Sequence, residues 1–480
     1  MKTKQYITTT LPYVNGKPHV GHALEFVRAD AFARYKKLAG YDVFFNTGTD
    51  EHGMKIYEKA TEAGIPVQEY VDGYAQNFKD LGKQLGLSDD IHFIRTTDEK
   101  HIAAAQEFWK RCDKNGFIYK KNYQSKYCVG CELNKTDSDL DNGECPDHLG
   151  GKIELIDEEN YFFKFSATQG FLEKFYAENE NFVIPNKRFN EIKKFVERGL
   201  QDFSISRLKT KMPWGIPVPG DDSQVMYVWF DALVNYISTL DWPQDGKFND
   251  YWVNGNPIQY CGKDNLRQQS AMWQAMLYAA GLPNSKQVVI NGFINSGGQK
   301  MSKSVGNVID PLKIINEYGT DALRYYLLRH VHSFEDSDMT MDKFKVDYNA
   351  NLANGLGNLV QRVMKMITSY EVDISDINFD DHDPILSFHA RHIDEFDFNK
   401  SMDEIWRLIG DMDAFIASEK PFKKIKEDVA AAHKDLQYLA DELNRLAISL
   451  YPFMPETADK IQQCLTEVRL PTEPLFKRID

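Results

Sequence analysis

The first fifty residues alternate between β-like and helical patterns, and this restricts the fold more than any other part of the chain. Residues 5–10 are rich in β-formers and lead into a turn-rich stretch. In residues 22–39 apolar side chains recur every three or four positions, as on one face of an amphipathic helix, and Gly40 follows as a natural helix stop. Residues 41–46 form a second apolar run. This order predicts a βαβ unit and therefore a parallel sheet with right-handed crossovers.

The rest of the chain predicts a divided α/β domain followed by helices. Apolar β-like runs return at 224–231, 257–261 and 287–291, whereas residues 116–215 are rich in charges, turns and cysteines. From residue 348 onward the pattern is helical, with apolar residues on single helix faces. These residues are Leu352, Leu356, Leu359 and Val363 in one helix, and Leu436, Leu439, Leu443, Leu446 and Leu450 in another.

We therefore predict a doubly wound, Rossmann-like parallel-sheet domain that is split by an insertion and followed by an α-helical bundle. The predicted boundaries are 1–115 for the first half, 116–215 for the insertion, 216–325 for the second half, 326–347 for a linker and 348–480 for the bundle.

Charge and hydropathy exclude some classes of function. The 480 residues carry a formal net charge of −14, which argues against nonspecific nucleic-acid binding through a broad basic field but not against a local basic patch. No apolar run approaches the roughly 18 residues of a membrane span. The N-terminal segment lacks the apolar core of a signal peptide. We therefore expect a cytoplasmic enzyme.

Two histidines mark the predicted start of the first helix. His19 and His22 are three residues apart and share one helix face. A helix N-terminus presents unpaired N–H groups and a partial positive charge, which makes it a phosphate site. Gly21 leaves room for a nucleotide near the backbone. The pattern alone is as compatible with two ordinary polar residues, and less so with a zinc pair, because no third ligand lies nearby.

A second candidate phosphate-binding element lies near residue 300. Lys300 and Lys303 follow two glycines in the loop SGGQKMSKS, and Lys303 would neutralise the charge that develops as pyrophosphate leaves. Taken alone, the segment is also compatible with a solvated basic loop. The chain holds neither GxxxxGK[ST] nor GxGxxG, so P-loop and dinucleotide-binding alternatives lose support.

Together the two elements resemble the HIGH and KMSKS signatures of the class I aminoacyl-tRNA synthetases, because the chain carries HVGH at 19–22 and KMSKS at 300–304. Over nearly the whole chain it is similar to the methionyl-tRNA synthetases, in particular at TLPYVNG (10–16), NTGTDEHG (46–53), ISR (205–207) and YVWFDA (227–232). The resemblance implies ATP-dependent attachment of methionine to tRNA. The alternatives are a class I synthetase for another amino acid and a non-catalytic tRNA-binding relative.

The resemblance also implies a two-step reaction. The methionine carboxylate attacks the α-phosphorus of ATP, and pyrophosphate leaves against Lys303 and a Mg²⁺ ion. A hydroxyl of the terminal adenosine of tRNA then attacks the activated carbonyl. Catalysis is mostly positioning and charge stabilisation, with Lys300 and Arg207 as further phosphate contacts.

The implied substrate contacts form two groups. Methionine is expected to contact Leu11, Tyr13, Asp50, Trp229, Leu233 and Tyr236, since aromatic and aliphatic side chains suit a thioether and a carboxylate suits an ammonium group. ATP is expected to contact His19, Gly21, His22, Gly262, Asp264 and Lys303. Without the resemblance, core packing is the simpler interpretation of each aromatic residue.

The pocket wall departs from the family pattern. After Gly-Lys-Asp the family usually has apolar residues and a Phe-His pair, whereas this chain has Asn265, Gln268 and Gln269 at those positions. The departure predicts a more polar wall.

Four metal-ligand residues lie close together in the predicted insertion. Cys128, Cys131, Cys145 and His148 give the spacing C-x₂-C-x₁₃-C-x₂-H, which is typical of a closed, tetrahedral structural Zn²⁺ site. The alternative is unliganded cysteines in a loop. The methionyl-tRNA synthetases resemble this chain here too, since they carry one or two such knuckles.

The helical region resembles the anticodon-binding bundle of the same family. The resemblance implies that Asn358 and Arg362 contact the CAU anticodon and that Phe422 stacks on one of its bases. The expected partners are then ATP, L-methionine and methionine tRNAs, including the initiator. Alone, Arg362 is equally compatible with a surface salt bridge and Phe422 with a core position. A monomer is expected, since no dimerising extension follows residue 480.

Overall fold

The structure is a computed structural model that describes residues 2–130, 133–135, 139–146, 152–301, 306–379 and 390–479. The strands are β1 (Lys4–Thr9), β2 (Asp42–Thr49), β3 (His92–Arg95), β4 (Ile118–Cys128), β5 (Leu133–Lys135), β6 (Ile153–Phe163), β7 (Val183–Ile184), β8 (Phe203–Ser204), β9 (Ser206–Leu208), β10 (Pro217–Val218), β11 (Asp221–Met226), β12 (Asn256–Gly262), β13 (Gln287–Asn291), β14 (Ile294–Ser296), β15 (Gln299–Lys300) and β16 (Ser337–Asp338).

The helices are α1 (Val20–Leu38), α2 (Met54–Ala63), α3 (Val67–Gln84), α4 (Glu99–Lys114), α5 (Gln169–Glu178), α6 (Asn186–Glu197), α7 (Val228–Ala232), α8 (Asn235–Ser238), α9 (Trp273–Ala279), α10 (Pro311–Tyr318), α11 (Thr320–Arg329), α12 (Met341–Asp347), α13 (Asn358–Ser369), α14 (Ala390–Asp394), α15 (Phe398–Glu419), α16 (Pro421–Lys424), α17 (Val429–Leu450) and α18 (Pro455–Thr466). Short 3₁₀ segments span Phe165–Thr168 and Lys263–Asn265, and π-helical segments span Phe248–Val253, Gln268–Met272 and Tyr348–Gly357. In the described part of the chain no helix is long and apolar enough to cross a membrane.

A six-stranded parallel sheet in the order β3-β2-β1-β12-β13-β7 forms the centre of the fold. The predicted parallel sheet is therefore confirmed. Its edge strand β7 comes from inside the range 116–215 that the sequence pattern assigned to the insertion, and it pairs with β13 through Val183 and Ile184.

Helices cover both faces of this sheet, as expected for a doubly wound fold. Adjacent residues of β1 show this directly, because successive side chains of a strand point to opposite faces. Ile7 joins the core that contains α1, α3 and α11. Tyr6 joins the second core, which contains α4, α6 and α9. Both side chains are completely buried.

The predicted β-like run 224–231 is wrong in its second half. Strand β11 ends at Met226, and the backbone N–H groups of Phe230 and Asp231 donate to the carbonyl of Tyr227 to begin α7. The helix places Asp231 in the core, where its Oδ2 lies 3.0 Å from His52 Nδ1. A short run of residues buried on all sides has no period that distinguishes a strand from a helix, which is why the sequence was misleading here.

The C-terminal region is helical, as predicted. The apolar residues expected on single faces of α13 and α17 and of the turn before α13 are all buried. Two charged stretches, at 376–383 and 419–427, are predicted by their composition to be solvated connections. The first lies partly outside the described residues, and the second includes the short helix α16.

An ion cluster whose central pair, Asp30 and Arg324, is completely buried joins the first helix to this region. Asp30 accepts hydrogen bonds from Arg324 Nη2 and Arg34 Nε, both at 2.8 Å. Arg324 also donates to the carbonyls of Leu85, Pro452 and Phe453. The cluster therefore connects α1 with α11 and with the turn after α17.

Candidate active site

A cavity of about 1050 Å³ opens at the carboxyl ends of the central strands. Its wall includes Thr10 after β1, Asp50 after β2 and Gly262 at the end of β12. The chain leaves β1 toward β2 on one side, while β12 lies on the other, so this is the point where the strand order reverses. Ligands of open α/β sheets bind in that crevice.

Most of the predicted substrate residues line this cavity. They are Leu11, Tyr13, His19, Gly21, His22, Asp50, Trp229, Leu233, Tyr236, Gly262, Asp264 and Lys300. Lys303 lies outside the described residues. The structure thus brings the two predicted groups, for methionine and for ATP, to one cavity.

The two histidines form a capping box at the start of α1. His19 Nδ1 accepts from the Gly21 backbone N–H, and His22 Nδ1 accepts from the His19 backbone N–H, both at 3.1 Å. Their rings are stacked with centroids 3.8 Å apart. A nitrogen that accepts a hydrogen bond carries no proton, so in the neutral imidazoles the proton lies on Nε2. The caps therefore prepare both Nε2–H groups as donors.

Gly21 makes this arrangement possible. A Cβ atom at this position would lie 2.9 Å from Cε1 of His19, so any larger residue would displace the ring that caps the helix. The sequence suggested that Gly21 leaves room for a nucleotide. The structure adds that it leaves room for the His19 side chain.

The end of the cavity that carries the predicted methionine contacts is built from two chain segments. The turn after β1 is fixed to the end of β2, because Val14 N donates to the Asp50 carbonyl and Asp50 N donates to the Pro12 carbonyl. Helices α7 and α8 supply half-buried Trp229 and buried Tyr236. This end therefore combines aromatic faces with a carboxylate.

The unusual glutamines are part of the same wall. Gln268 and Gln269 are both buried and line the cavity, and Asn265 lines it at a half-buried position. Gln269 Nε2 donates to the Tyr236 hydroxyl oxygen at 2.6 Å. The polar wall that the sequence predicted is thus in contact with Tyr236, one of the residues predicted to bind the substrate methionine.

Two predicted phosphate contacts differ in their surroundings. Arg207 is buried, donates to Ser204 Oγ and the Ser206 carbonyl at 2.8 Å, and stacks on Tyr227 with its guanidinium 4.5 Å from the ring centre. It is not among the residues that line the cavity. Lys300 lines the cavity and is exposed, with Nζ 5.3 Å from the centre of the Phe293 ring.

The sequence analysis missed Glu25, a charged residue of the site. Glu25 lines the cavity and accepts from both the backbone N–H and the hydroxyl of Thr10, at 2.6 and 2.5 Å. Its removal from water raises the pKa of the carboxyl to about 8, although the Thr10 hydrogen bonds lower it. A signal existed, because Glu25 lies one turn after His22 on the same helix face.

Replacing Glu25 with glutamine should change how stability depends on pH. At pH values between the ordinary pKa of 4.5 and the raised pKa of about 8, Glu25 is ionised in the unfolded chain but keeps its proton in the folded one. The stability of the wild type therefore falls as pH rises through this range. Glutamine keeps the acceptor oxygen and cannot ionise. We expect the melting temperature of Glu25→Gln to rise relative to wild type at pH 8.5 but not at pH 5. Exposed Glu69→Gln is the control, and an equal offset of Glu25→Gln at both pH values would contradict the prediction.

The predicted zinc knuckle is described only in part. Cys128, at the end of β4, and Cys145 are both completely buried, while Cys131 and His148 lie outside the described residues. Burial of two thiols in a segment with few apolar residues fits a thiolate metal site, and three cysteines with one histidine are a donor set typical of Zn²⁺. The neighbouring Gly130 and Pro146 line the cavity. The segment that carries Cys128 and Cys145 therefore contributes to the wall of the candidate active site.

The predicted anticodon residues lie far along the chain in the helical region. Asn358 begins α13 and is exposed, and Arg362 follows one turn later. Arg362 Nη2 lies 2.5 Å from Asp413 Oδ1 on α15. Phe422 on α16 keeps 42% of its surface exposed, so a flat aromatic face is available to a base.

Comparisons with known proteins agree with this arrangement. A family model described as "tRNA synthetases class I (M)" matches residues 5–152 and 148–364. The chain belongs to the class I tRNA synthetases (M). The solved structure of Mycobacterium tuberculosis methionyl-tRNA synthetase in complex with methionyl-adenylate is 34% identical, with a TM-score of 0.90 over 99% of this chain and 95% of that chain.

Curated relatives of this class I synthetase align with it over nearly its full length. The methionine–tRNA ligase of Caldanaerobacter subterraneus subsp. tengcongensis is 40% identical over 96% of this chain and 74% of the relative. The methionine–tRNA ligase of Thermotoga maritima is 37% identical over 99% of this chain and 80% of the relative. The resemblance inferred from the motifs is confirmed.

Proposed function

We propose that this class I synthetase is a methionine–tRNA ligase that activates methionine with ATP and transfers it to tRNA. The observation that carries the proposal is the single cavity in which donors for phosphate at the start of α1 face an aromatic, carboxylate-bearing end. The function agrees with the names of its relatives. We include in the proposal the expected cytoplasmic location and a monomeric state, which light scattering would report as a mass of 55.3 kDa.

The start of α1 would bind the phosphates of ATP. The helix N-terminus attracts anions, and the Nε2–H groups of His19 and His22 add donors whose direction the capping box fixes. Lys300 and Lys303 are proposed to balance the charge that develops as pyrophosphate leaves, and Gly262 and Asp264 to contact the nucleotide. A Mg²⁺ ion bound with ATP would neutralise further phosphate charge.

The aromatic end of the cavity would bind methionine. Asp50 is proposed to hold the ammonium group, while Leu11, Tyr13, Trp229, Leu233 and Tyr236 enclose the side chain. With the amino acid held at one end and the phosphates at the other, the carboxylate is directed at the α-phosphorus. Such positioning supplies a large share of the catalysis of an in-line transfer.

The reaction is tested by ATP–pyrophosphate exchange with each of the twenty amino acids in turn. We expect exchange with methionine alone. Exchange with a different amino acid would keep the fold and chemistry but overturn the substrate, whereas a folded, zinc-loaded protein without any exchange would overturn the activity.

Zinc is expected to hold the knuckle through Cys128, Cys131, Cys145 and His148. We expect one zinc per chain by mass spectrometry of metals, and its loss from Cys145→Ser, because a segment without a core folds only with its metal. Since the knuckle lines the cavity, KM for methionine should rise as zinc is removed. Cys464→Ser, which alters a buried thiol in α18, is the control. Full zinc content in Cys145→Ser would contradict the assigned ligand set.

Arg362 is proposed to bind the anticodon together with Asn358 and Phe422. We expect Arg362→Gln to lower kcat/KM for tRNA about 10-fold or more, since an arginine that contacts a base edge contributes about 1–3 kcal/mol. Methionine activation should stay within twofold. Arg391→Gln, which removes an exposed arginine of α14, is the control. A parallel loss of activation would contradict a role limited to tRNA.

A further inference from the structure

A continuous chain of buried hydrogen bonds reaches the cavity from the core. Its members come from β12, the π-helical turn after it, α9 and the segment before β13, and each is at most 3% exposed. We call them the amide relay: Gln274, Ser285, Gln259 and Gln269. The relay ends at the hydroxyl of Tyr236.

Backbone groups fix the direction of the first amide. The Ser285 backbone N–H, which can only donate, points to Gln274 Oε1 at 3.2 Å. Gln274 Nε2 donates to the Gln269 backbone carbonyl, which can only accept, at 2.9 Å. The same Nε2 donates to Ser285 Oγ at 3.1 Å. Because both ends of this amide face backbone groups of opposite kind, it cannot be turned around.

The fixed orientation of the Gln274 amide determines the direction of the remaining hydrogen bonds. Ser285 Oγ accepts from Gln274, so its own proton goes to Gln259 Oε1. Gln259 Nε2 then donates to Gln269 Oε1 at 2.8 Å, and Gln269 Nε2 donates to the Tyr236 oxygen at 2.6 Å. If Gln269 were reversed, two NH₂ groups would face each other in the core. Every hydrogen bond of the relay therefore runs toward Tyr236.

The consequence concerns the proton of Tyr236. Its oxygen accepts from Gln269, and among the described residues no protein acceptor takes its own proton. Tyr236 and Gln269 line the cavity, whereas Gln259, Gln274 and Ser285 do not. The hydroxyl proton is thus directed toward whatever occupies the cavity.

We propose that the amide relay fixes Tyr236 as a hydrogen-bond donor to the substrate side chain, and so selects a side chain with an acceptor atom over a hydrocarbon of the same shape. The inference rests on the proposed function and deepens it, since a thioether sulfur is such an acceptor, although a weak one. The relay residues beyond Gln269 are positioning residues, because they act only through Tyr236.

The test reverses the relay without touching the cavity. In Gln259→Glu, assayed at a pH at which the new carboxyl is ionised, an acceptor-only carboxylate faces Gln269. The Gln269 amide must then turn and present its oxygen to Tyr236, so the tyrosine proton turns away from the cavity. The readout is kcat/KM in pyrophosphate exchange for methionine and for norleucine, in which a methylene replaces the sulfur. We expect the methionine-to-norleucine ratio to fall about 5–10-fold, as for one neutral hydrogen bond. Norleucine itself should change less than twofold.

A double-mutant cycle separates this role from general damage to the core. Tyr236→Phe removes the donor, and Gln259→Glu in that background should leave the ratio unchanged. Ser285→Ala, which removes the step that orients Gln259, is the milder variant in case the carboxylate prevents folding, and we expect a two- to threefold fall. An unchanged ratio in folded Gln259→Glu or Ser285→Ala, or a further fall in the double variant, would overturn the relay. Absence of methionine exchange in wild type would instead overturn the proposed function.

Discussion

His22→Ala should lower kcat for methionine-dependent pyrophosphate exchange by about 10²–10³-fold, the loss typical of one donor to developing transition-state charge. The substitution removes an Nε2–H group and also the Nδ1 acceptor that fixes the His19 backbone N–H. His19 then loses its stacked neighbour and its orientation. The KM for methionine should change little, since His22 is proposed to contact the phosphates and not the amino acid.

His22→Gln is the matched control for this variant. Its amide oxygen can replace Nδ1 as the cap acceptor, and its amide nitrogen can replace Nε2 as a donor. We expect kcat of His22→Gln to be at least about tenfold higher than that of His22→Ala. The glutamine should also restore the cap, which contributes about 1 kcal/mol to stability. If glutamine and alanine were equally inactive at equal stability, hydrogen-bond donation would not be the role of His22.

Arg324→Met should lower the free energy of unfolding by about 3–5 kcal/mol, because it leaves the buried Asp30 with only part of its charge compensation. Arg324 and Asp30 are both completely buried, and the guanidinium also serves three backbone carbonyls. Urea unfolding followed by circular dichroism measures the loss. Lys187→Met, which breaks the exposed pair with Glu335, is the control and should change stability by less than about 0.5 kcal/mol.

The same cluster gives the pH dependence a defined sign. Burial alone would raise the pKa of the Asp30 carboxyl, but the charges of Arg324 and Arg34 outweigh it and hold the pKa below 3.8. A carboxyl with a lowered pKa stabilises the fold above its unfolded value and loses that contribution as pH falls. The difference between wild type and Arg324→Met should therefore shrink below pH 3.8. A difference that is constant from pH 7 to pH 3 would indicate lost packing rather than lost charge pairing.

Local pattern predicted the elements that surround the site. The period of the first helix placed it at 22–39, and the structure has it at Val20–Leu38. The βαβ order led to the parallel sheet, and the two motifs led to the family. These features depend on neighbours within a few residues, which a sequence displays directly.

The polar contacts inside the core could not be predicted in this way. Asp30 and Arg324 are 294 residues apart, and Gln259 and Ser285 belong to different elements. Hydrophobic periodicity carries no information about which buried polar groups pair. Gln269 was recognised as a departure from the family pattern, but its direction depends on a backbone N–H at Ser285 that only the folded chain brings within reach.

The first helix is held at three points along its length. His19 and His22 cap its start, Arg28 donates to Asn291 and to the carbonyls of residues 331–333 near its middle, and Lys36 lies 2.7 Å from Asp394 at its end. Each residue of an α-helix adds 1.5 Å of rise and about 100° of rotation. Deleting a single residue between His22 and Arg28 would therefore turn the capping histidines about 100° away from the cavity while the arginine stayed in place. We therefore expect activity to depend on the number of residues between these two anchors as well as on the side chains between them.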